Sequence, residues 1–180
     1  IGIPFCVTRC AYCSFSSGEL GDGKLVEPYL AALAQEIRAC GAMMREMGLS
    51  VRAAYMGGGT PTIMIDELCE TIDLARDLFS INEVSSETNP NHLIPSYLDK
   101  LKGRVQRLSV GVQSFDDGLL KQMDRYDKYG SGAEILERIA EATPCFDSLN
   151  VDMIYNFPSQ TEDILFSDLE KLALCGCTQT

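Results

Sequence analysis

Basic residues, long apolar runs and histidine are all scarce in this sequence. Its 15 Lys and Arg stand against 26 Asp and Glu, a net charge of −11, which leaves no basic footprint for nucleic-acid phosphates. No apolar run approaches the roughly 20 residues that a membrane helix needs. The first residues also lack a basic segment followed by an apolar signal core. These absences predict a cytoplasmic protein that binds neither nucleic acid nor membrane.

The composition is that of a folded soluble domain. The 180 residues are 46% hydrophobic and 23% charged, which rules out a disordered or fibrous chain. The sequence begins at Ile1 rather than Met and stops at Thr180, just after an apolar helical pattern. We therefore expect residues 1–180 to form one domain, cut from a longer chain.

Helical and strand-like patterns alternate along the chain. Apolar residues follow three-and-four spacing most clearly between residues 27 and 47, where Leu33 and Ile37 lie on one stripe. Parallel strands need crossovers of a dozen or more residues, usually helical. The alternation therefore predicts an α/β fold with a parallel sheet, either doubly wound or curled into a barrel. The predicted strands are 1–4, 51–56, 84–88, 105–112 and 149–155, and the predicted helices are 27–47, 68–79, 95–102, 116–123, 135–142 and 165–172.

Eight cysteines are present, and three of them, Cys6, Cys10 and Cys13, fall within eight residues after the first strand. Three interpretations compete. Zinc needs four tetrahedral ligands, but the only histidine is His92 and the next cysteine is Cys40, inside a predicted helix. A disulfide would leave one of the three thiols over. An iron–sulfur cluster held by three thiolates, with one iron left open, suits the spacing best.

Three consecutive glycines follow the second strand, in the run Gly57-Gly58-Gly59-Thr60-Pro61-Thr62. Glycine lets the backbone approach a ligand closely and offer its groups for hydrogen bonding. The alternative is a tight turn between a strand and a helix. The run matches neither the phosphate-binding P-loop nor the dinucleotide fingerprint. It is a candidate binding segment for a small ligand of the open iron.

Together these residues resemble a known family. The cysteine spacing, with an aromatic residue before the last cysteine, and the glycine run that follows are similar to those of radical S-adenosylmethionine (SAM) enzymes. Further segments resemble the oxygen-independent coproporphyrinogen III oxidase group, which also includes haem chaperones. These segments are Ile3-Pro4-Phe5-Cys6, Glu87-Thr88-Asn89-Pro90, Arg107 to Phe115 and Asp152 to Thr161.

The resemblance implies a partial (β/α)6 barrel, truncated here at both ends, that carries a [4Fe–4S] cluster and SAM. By the same resemblance, the cluster ligands are Cys6, Cys10 and Cys13, and the SAM contacts are Tyr12, Gly58, Gly59, Thr60, Glu87, Gln113, Arg125 and Asp152. Simpler roles exist for some of these residues. Glu87 and Arg125 could be solvated surface charges, and Gln113 could cap a helix. Asp152 lies in an otherwise apolar strand, where an unpaired carboxylate is costly, so it needs a partner or a polar ligand.

The implied activity is reductive cleavage of SAM to a 5′-deoxyadenosyl radical that acts on a tetrapyrrole, with an electron donor such as flavodoxin or ferredoxin. The alternatives are a haem chaperone-like carrier and a radical SAM methyltransferase acting on haem. Decarboxylating oxidases of the group resemble one another in a further cysteine two residues after the third, and Phe15 occupies that position here. Phe15 therefore favours the haem-chaperone-like branch or another divergent branch of the group. We interpret the remaining cysteines mainly as small buried hydrophobic residues, with Cys175 and Cys177 at a helix end.

Overall fold

A computed structural model describes all 180 residues, and its elements follow the predicted alternation. The strands are β1 (Gly2–Ile3), β2 (Phe5–Cys6), β3 (Gly18–Glu19), β4 (Ala53–Gly58), β5 (Glu83–Thr88), β6 (Arg107–Gln113) and β7 (Ser148–Met153). The α-helices are α1 (Val26–Glu46), α2 (Ile65–Leu78), α3 (Pro95–Leu101), α4 (Asp117–Gln122), α5 (Tyr126–Tyr129), α6 (Gly132–Ala142) and α7 (Glu162–Leu174). None of these helices combines the length and the apolarity needed to cross a membrane.

Five parallel strands form the main sheet in the order β1-β4-β5-β6-β7, so each strand lies beside the one before it in this sheet. A doubly wound sheet reverses direction at a switch point, whereas a barrel adds its strands in sequence. The order therefore resolves the choice left open by the sequence in favour of a partial barrel. A bridge between Asn150 and Gln179 continues the sheet beyond β7.

The two faces of this sheet differ in chemistry. One face carries apolar side chains that are fully buried under the helices, among them Met56, Val84, Leu108 and Val151. The other face is polar and faces the barrel interior. On it, the register pairs Glu87 with Ser109, Ser109 with Asn150, and Gly111 with Asp152. Because side chains alternate along a strand, these polar residues share one surface.

Helices α1 and α7 bury narrower stripes than the apolar pattern suggests, whereas α6 buries Ile135, Ile139 and Ala142 as its pattern predicts. Helix α1 buries Leu33, Ile37 and Gly41, while Met47 at its end is 62% exposed. Helix α7 buries Asp168 and Leu172 and leaves Leu169 46% exposed. The longer helices α1, α2, α6 and α7 each bury residues on one side, whereas the four-residue α5 buries none.

Candidate functional site

One cavity of about 630 Å³ opens at the carboxyl ends of the parallel strands. In parallel α/β folds, ligands bind at this end because the loops that follow the strands converge there. Every candidate cluster or SAM residue from the sequence lines this cavity: Cys6, Cys10, Tyr12, Cys13, Gly58, Gly59, Thr60, Glu87, Gln113, Arg125 and Asp152. These residues come from six parts of the chain, and the fold brings them together.

The cysteine loop leaves β2 at Cys6 and returns to it through β3, which pairs Cys6 with Glu19 in parallel. Within the loop, the Cys13 amide donates to the Cys10 carbonyl at 3.1 Å. The Cys6 sulfur lies 3.6 Å from the Thr60 hydroxyl, which ties the loop to the end of β4. The loop is therefore closed on itself and anchored to the glycine run.

The donor set suits an iron–sulfur cluster. All three thiols are half-buried and free, and no disulfide occurs in the structure. No three His, Cys, Asp or Glu side chains converge as the ligands of a single metal ion would. A cubane cluster needs a different arrangement, because each thiolate binds a separate iron and the sulfurs surround the cluster. The half-buried thiols around one cavity fit that arrangement better than a zinc ion.

Arg125 is buried, with 3% of its surface exposed, which corrects the alternative of a solvated surface charge. Its Nη1 donates to the Tyr12 hydroxyl at 3.0 Å and to the Cys10 sulfur at 3.4 Å, and its Nη2 donates to the Gly111 carbonyl. The guanidinium carbon lies 4.3 Å from the centre of the Tyr129 ring. Burial raises the pKa of the Tyr12 phenol against the opposing effect of Arg125, so Tyr12 stays protonated. Arg125 thus joins α5 to the cysteine loop.

The Nε atom of Arg125 is buried and has no hydrogen-bond partner. An unpaired buried donor costs about 1–3 kcal/mol, and such orphans are rare in native proteins. The atom is closed off from the cavity as well as from solvent, so in this conformation it presents no donor to a bound ligand.

Glu87 ends β5 with both carboxylate oxygens engaged. Its Oε1 accepts from the Tyr55 hydroxyl at 2.6 Å, and its Oε2 accepts from the Gly58 amide at 3.0 Å. Burial raises the pKa of the Tyr55 phenol, and the Glu87 carboxylate raises it further, so this donor keeps its proton. Glu87 is held in one orientation at the cavity wall, rather than free in solvent.

Asp152 was expected to be buried, and the structure corrects this, because its residue is exposed on the polar face of the sheet. The expected partners are present. Ser109 donates to Oδ2 at 2.9 Å, and the Asn150 amide donates to Oδ1 at 2.6 Å and to Ser109 at 2.9 Å. The sequence suggested burial because Val151 and Met153 flank Asp152, but alternation along β7 turns Asp152 toward the open barrel interior.

The glycine run packs closely against the main chain of β1 and β2, a structural role that the sequence did not indicate. A Cβ at Gly58, whose φ is +123°, would lie 2.9 Å from the Ile3 oxygen, and one at Gly59 would lie 2.9 Å from the Phe5 nitrogen. The Gly59 amide donates to the Ile3 carbonyl at 2.8 Å. The glycines therefore let the end of β4 pack against β1 and β2 while it lines the cavity.

Gln113 ends β6 with φ at +80°, at a register shift against β7. Its carbonyl accepts from the Ile154 amide at 3.0 Å, and Asp116, not Gln113, caps α4. The helix-cap alternative for Gln113 is therefore wrong. The irregular backbone places the residue at the cavity wall, and strained residues of this kind gather at functional sites.

Sequence reasoning missed other lining residues, among them Arg9, Lys128 and His92. The imidazole Nδ1 of His92 lies 2.7 Å from the Thr62 hydroxyl, and the ring stacks on Tyr97 with centroids 4.8 Å apart. Burial lowers the pKa of His92. Nothing in the local sequence marks these residues, since each reaches the cavity from a loop or a single-turn helix. Ser109 and Asn150 were also missed, although the alternating pattern with Gln113 and Asp152 could have found them.

The cysteines outside the loop differ in burial. Cys69 and Cys175 are buried, as expected, while Cys40, Cys145 and Cys177 are half-buried. The thiols of Cys175 and Cys177 both donate to the Leu172 carbonyl, at 3.2 and 3.6 Å. Burial and the neighbouring Cys175 raise the pKa of Cys177 to about 11, which keeps it a protonated, unreactive thiol.

Comparison with known proteins gives related sequences over almost the whole chain. Heme chaperone HemW of Mycobacterium tuberculosis is 33% identical over 183 residues, covering 97% of this chain and 45% of the relative. HemW of Bacillus subtilis is 34% identical over 167 residues, covering 89% and 43%. The oxygen-independent coproporphyrinogen III oxidase of Synechocystis sp. is 31% identical over 176 residues, covering 95% and 37%. The chain thus spans less than half the length of these relatives.

Solved structures agree. Coproporphyrinogen III oxidase HemN from Escherichia coli, a radical SAM enzyme, matches 97% of this chain and 40% of its own with a TM-score of 0.84 and 29% identity. The radical SAM methyltransferase TsrM from Kitasatospora setae matches 96% of this chain and 33% of its own with a TM-score of 0.64 and 12% identity, a likeness of fold alone. The sequence profile of the Radical SAM superfamily matches residues 1–172. With the cysteine loop and the sequential parallel sheet, these matches show that the chain belongs to the radical SAM superfamily.

Proposed function

We propose that residues 1–180 form the cluster-binding and SAM-binding core of an enzyme that reductively cleaves SAM and acts on a haem-related tetrapyrrole. One observation carries the proposal. The three loop cysteines and every candidate SAM residue line a single cavity at the carboxyl ends of the strands. The names of the relatives, heme chaperone and coproporphyrinogen III oxidase, support the tetrapyrrole as the substrate class.

In this proposal Cys6, Cys10 and Cys13 hold the cluster. Such a cluster, when bound and reduced, would supply the electron for reductive cleavage of SAM to a 5′-deoxyadenosyl radical. The protein's own part is to bind, orient and shield. The closed loop and the contact between Cys6 and Thr60 hold the cysteines in place relative to the glycine run.

The polar residues divide the binding of SAM between them. Glu87 offers a carboxylate, held by Tyr55 and the Gly58 amide, for the ammonium group of the methionine moiety. Arg125, whose Nη1 donates to the Tyr12 hydroxyl and the Cys10 sulfur, places a cation at the cavity wall for an anionic oxygen of SAM. Asp152, held by Ser109 and Asn150, offers a carboxylate for hydroxyl donors such as those of a ribose. Each group is oriented by neighbours before the ligand arrives, which lowers the cost of ordering on binding.

A second candidate is a haem chaperone, in which the cluster and SAM serve binding or regulation rather than turnover. The observation that favours it is Phe15, which stands where decarboxylating oxidases resemble one another in a cysteine and is 68% exposed at the mouth of the cavity. An exposed aromatic side chain at a cavity rim is suited to stack on a flat apolar ring. This favours binding of haem over radical chemistry.

The test uses the full-length protein, reconstituted anaerobically with iron and sulfide, reduced, and mixed with SAM, with and without coproporphyrinogen III. 5′-Deoxyadenosine, carbon dioxide and porphyrin products are quantified. A rise in deoxyadenosine with loss of carbon dioxide identifies a decarboxylating oxidase. Slow SAM cleavage with unchanged porphyrinogen, together with stoichiometric binding of haem, identifies the chaperone. A loaded protein that never cleaves SAM contradicts the proposed enzyme.

A further inference from the structure

Two cations of the cavity have no role in the candidate SAM site. Arg9 lies in the cysteine loop and Lys128 lies in α5, and both line the cavity. Neither position matches a SAM contact of the family. Both cations lie beside the cysteines, although the chain has 26 acidic residues, and SAM binding does not explain why they are there.

Neither cation is neutralised by the protein. The four ion pairs of the structure involve Lys24, Lys100, Arg104 and Arg107, all outside the cavity. The side chains of Arg9 and Lys128 donate to main-chain oxygens instead: Nη2 of Arg9 to the Cys13 carbonyl at 3.1 Å, and Nζ of Lys128 to the Arg9 carbonyl at 3.4 Å. A carbonyl satisfies a donor but leaves its charge unpaired.

The carboxylates that line the cavity do not pair with these cations, and the exposed Glu19 accepts from the Arg9 main-chain amide at 3.4 Å rather than from its guanidinium. Glu87 is engaged by Tyr55 and the Gly58 amide, and Asp152 by Ser109 and Asn150. Both belong to the strand ends, whereas both cations belong to the cysteine loop and α5. The cavity lining therefore includes two cations that form no ion pair with a carboxylate, in a protein whose net charge is −11. A cleft with low-dielectric walls focuses the field of such charges on an entering ligand.

We propose that Arg9 and Lys128 form an anion-binding mouth that receives a carboxylate of the substrate. The inference rests on the proposed function, in which a tetrapyrrole bearing propionates enters this cavity. A guanidinium binds a carboxylate through paired donors, and a lysine ammonium adds a mobile point charge. Lys128 is half-buried and lines the cavity. A small carboxylate can enter the cavity and reach it, whereas the flat surface of an acidic protein cannot.

The experiment measures binding of coproporphyrin III, a stable oxidised tetrapyrrole with propionates, to the full-length reconstituted protein by fluorescence. Arg9→Gln and Lys128→Gln are compared with Arg38→Gln and Lys102→Gln, which remove exposed cations outside the cavity that have no ion pair. Each cavity variant is expected to weaken binding about tenfold, which corresponds to about 1.4 kcal/mol, because a charge-assisted hydrogen bond becomes a neutral one. The control variants are expected to match the wild type.

Etioporphyrin, which has the same ring but no carboxylates, separates charge from packing. Its affinity is expected to be the same in the wild type and both cavity variants, while iron content stays full. The inference is overturned if the cavity variants bind coproporphyrin III as tightly as the wild type does. It is also overturned if the cavity variants lose as much affinity for etioporphyrin as for coproporphyrin III. Unchanged porphyrin binding with slower reduction by flavodoxin also overturns it and assigns the cations to an acidic electron donor. A wild type that binds neither porphyrin overturns the proposed tetrapyrrole function itself.

Discussion

Arg125 is the side chain whose surroundings reveal most about the site. It is 3% exposed, stacks on Tyr129, and uses its terminal nitrogens on Cys10, Tyr12 and Gly111, yet its Nε remains unpaired. The sequence alone did not distinguish this arginine from a surface charge, because burial of a loop residue depends on distant contacts. Asp152 shows the reverse error, since its apolar neighbours in sequence suggested burial that the open barrel face does not provide.

Replacement of any one loop cysteine tests the cluster ligands directly. Cys6→Ala, Cys10→Ala and Cys13→Ala are each expected to reduce iron in the anaerobically reconstituted protein to a small fraction of the wild-type content, because three thiolates hold the cluster. Cys40→Ala, on helix α1 and outside the cavity, is the matched control and is expected to keep full iron. Full iron in all three loop variants would remove the cluster from this site.

The variant Asp152→Asn tests a SAM contact without disturbing the cluster. Loss of the carboxylate charge is expected to weaken SAM binding about tenfold, because a charge-assisted hydrogen bond becomes a neutral one. Iron content is expected to stay at the wild-type value. Asp147→Asn, exposed just before β7 and outside the cavity, is the control. Equal SAM affinity in both variants, measured by equilibrium dialysis, would exclude Asp152 from the site.

His92 predicts a pH dependence of stability. Burial lowers the pKa of the folded histidine below the ordinary value of 6.5, so as pH falls through that value the unfolded chain binds a proton that the folded chain does not. The free energy of unfolding therefore declines below this pH and is unaffected well above it. In urea unfolding at about pH 7.5 and about pH 5.5, His92→Gln is expected to lose less stability than the wild type. An identical loss in both proteins would contradict this assignment.

Among the helices and strands, the long elements were predicted from the sequence and the short ones were not. The long helices and the buried strands were predicted within a few residues: the expected helix at 27–47 is Val26–Glu46, and the expected strand at 84–88 is Glu83–Thr88. The strands β2 and β3, with 2 residues each, and the helix α5, with 4, were missed, because such short elements have no measurable period. These missed elements shape the site, since β2 and β3 close the cysteine loop and α5 carries Lys128 next to Arg125.

The end of β4 packs tightly against β1 and β2. We therefore predict that alanine at Gly59 and alanine at Gly2 change the free energy of unfolding by very different amounts. A Cβ at Gly59 would lie 2.9 Å from the Phe5 nitrogen, and main-chain atoms cannot move aside cheaply. We expect Gly59→Ala to lower the free energy of unfolding by about 1–3 kcal/mol, the usual cost of overpacking. Gly2→Ala is the control, because nothing lies within 4 Å of its Cβ position, and we expect a change below about 0.5 kcal/mol. Equal unfolding midpoints in urea would show that the junction is not tightly packed.

For the whole molecule, the order of the strands explains why candidate residues that are far apart in the sequence form one site. Parallel strands added in sequence bring the loop after β2 and the ends of β4 to β7 to the same edge. This arrangement could be predicted from the alternation of strands and helices, although the sequence did not decide between a barrel and a doubly wound sheet. The local charge could not be predicted, because a net charge of −11 says nothing of two unpaired cations in the cavity.

The central claim is that one cavity holds a cluster on three cysteines and SAM beside it. The most direct measurement is the electron paramagnetic resonance spectrum of the reduced, reconstituted protein, with and without SAM, alongside iron and sulfide analysis. We predict about four iron and four sulfide per chain and a spectrum that changes when SAM is added, since an iron without a cysteine ligand is open to it. Bound zinc in place of iron, or a cluster whose spectrum is the same with and without SAM, would contradict the account.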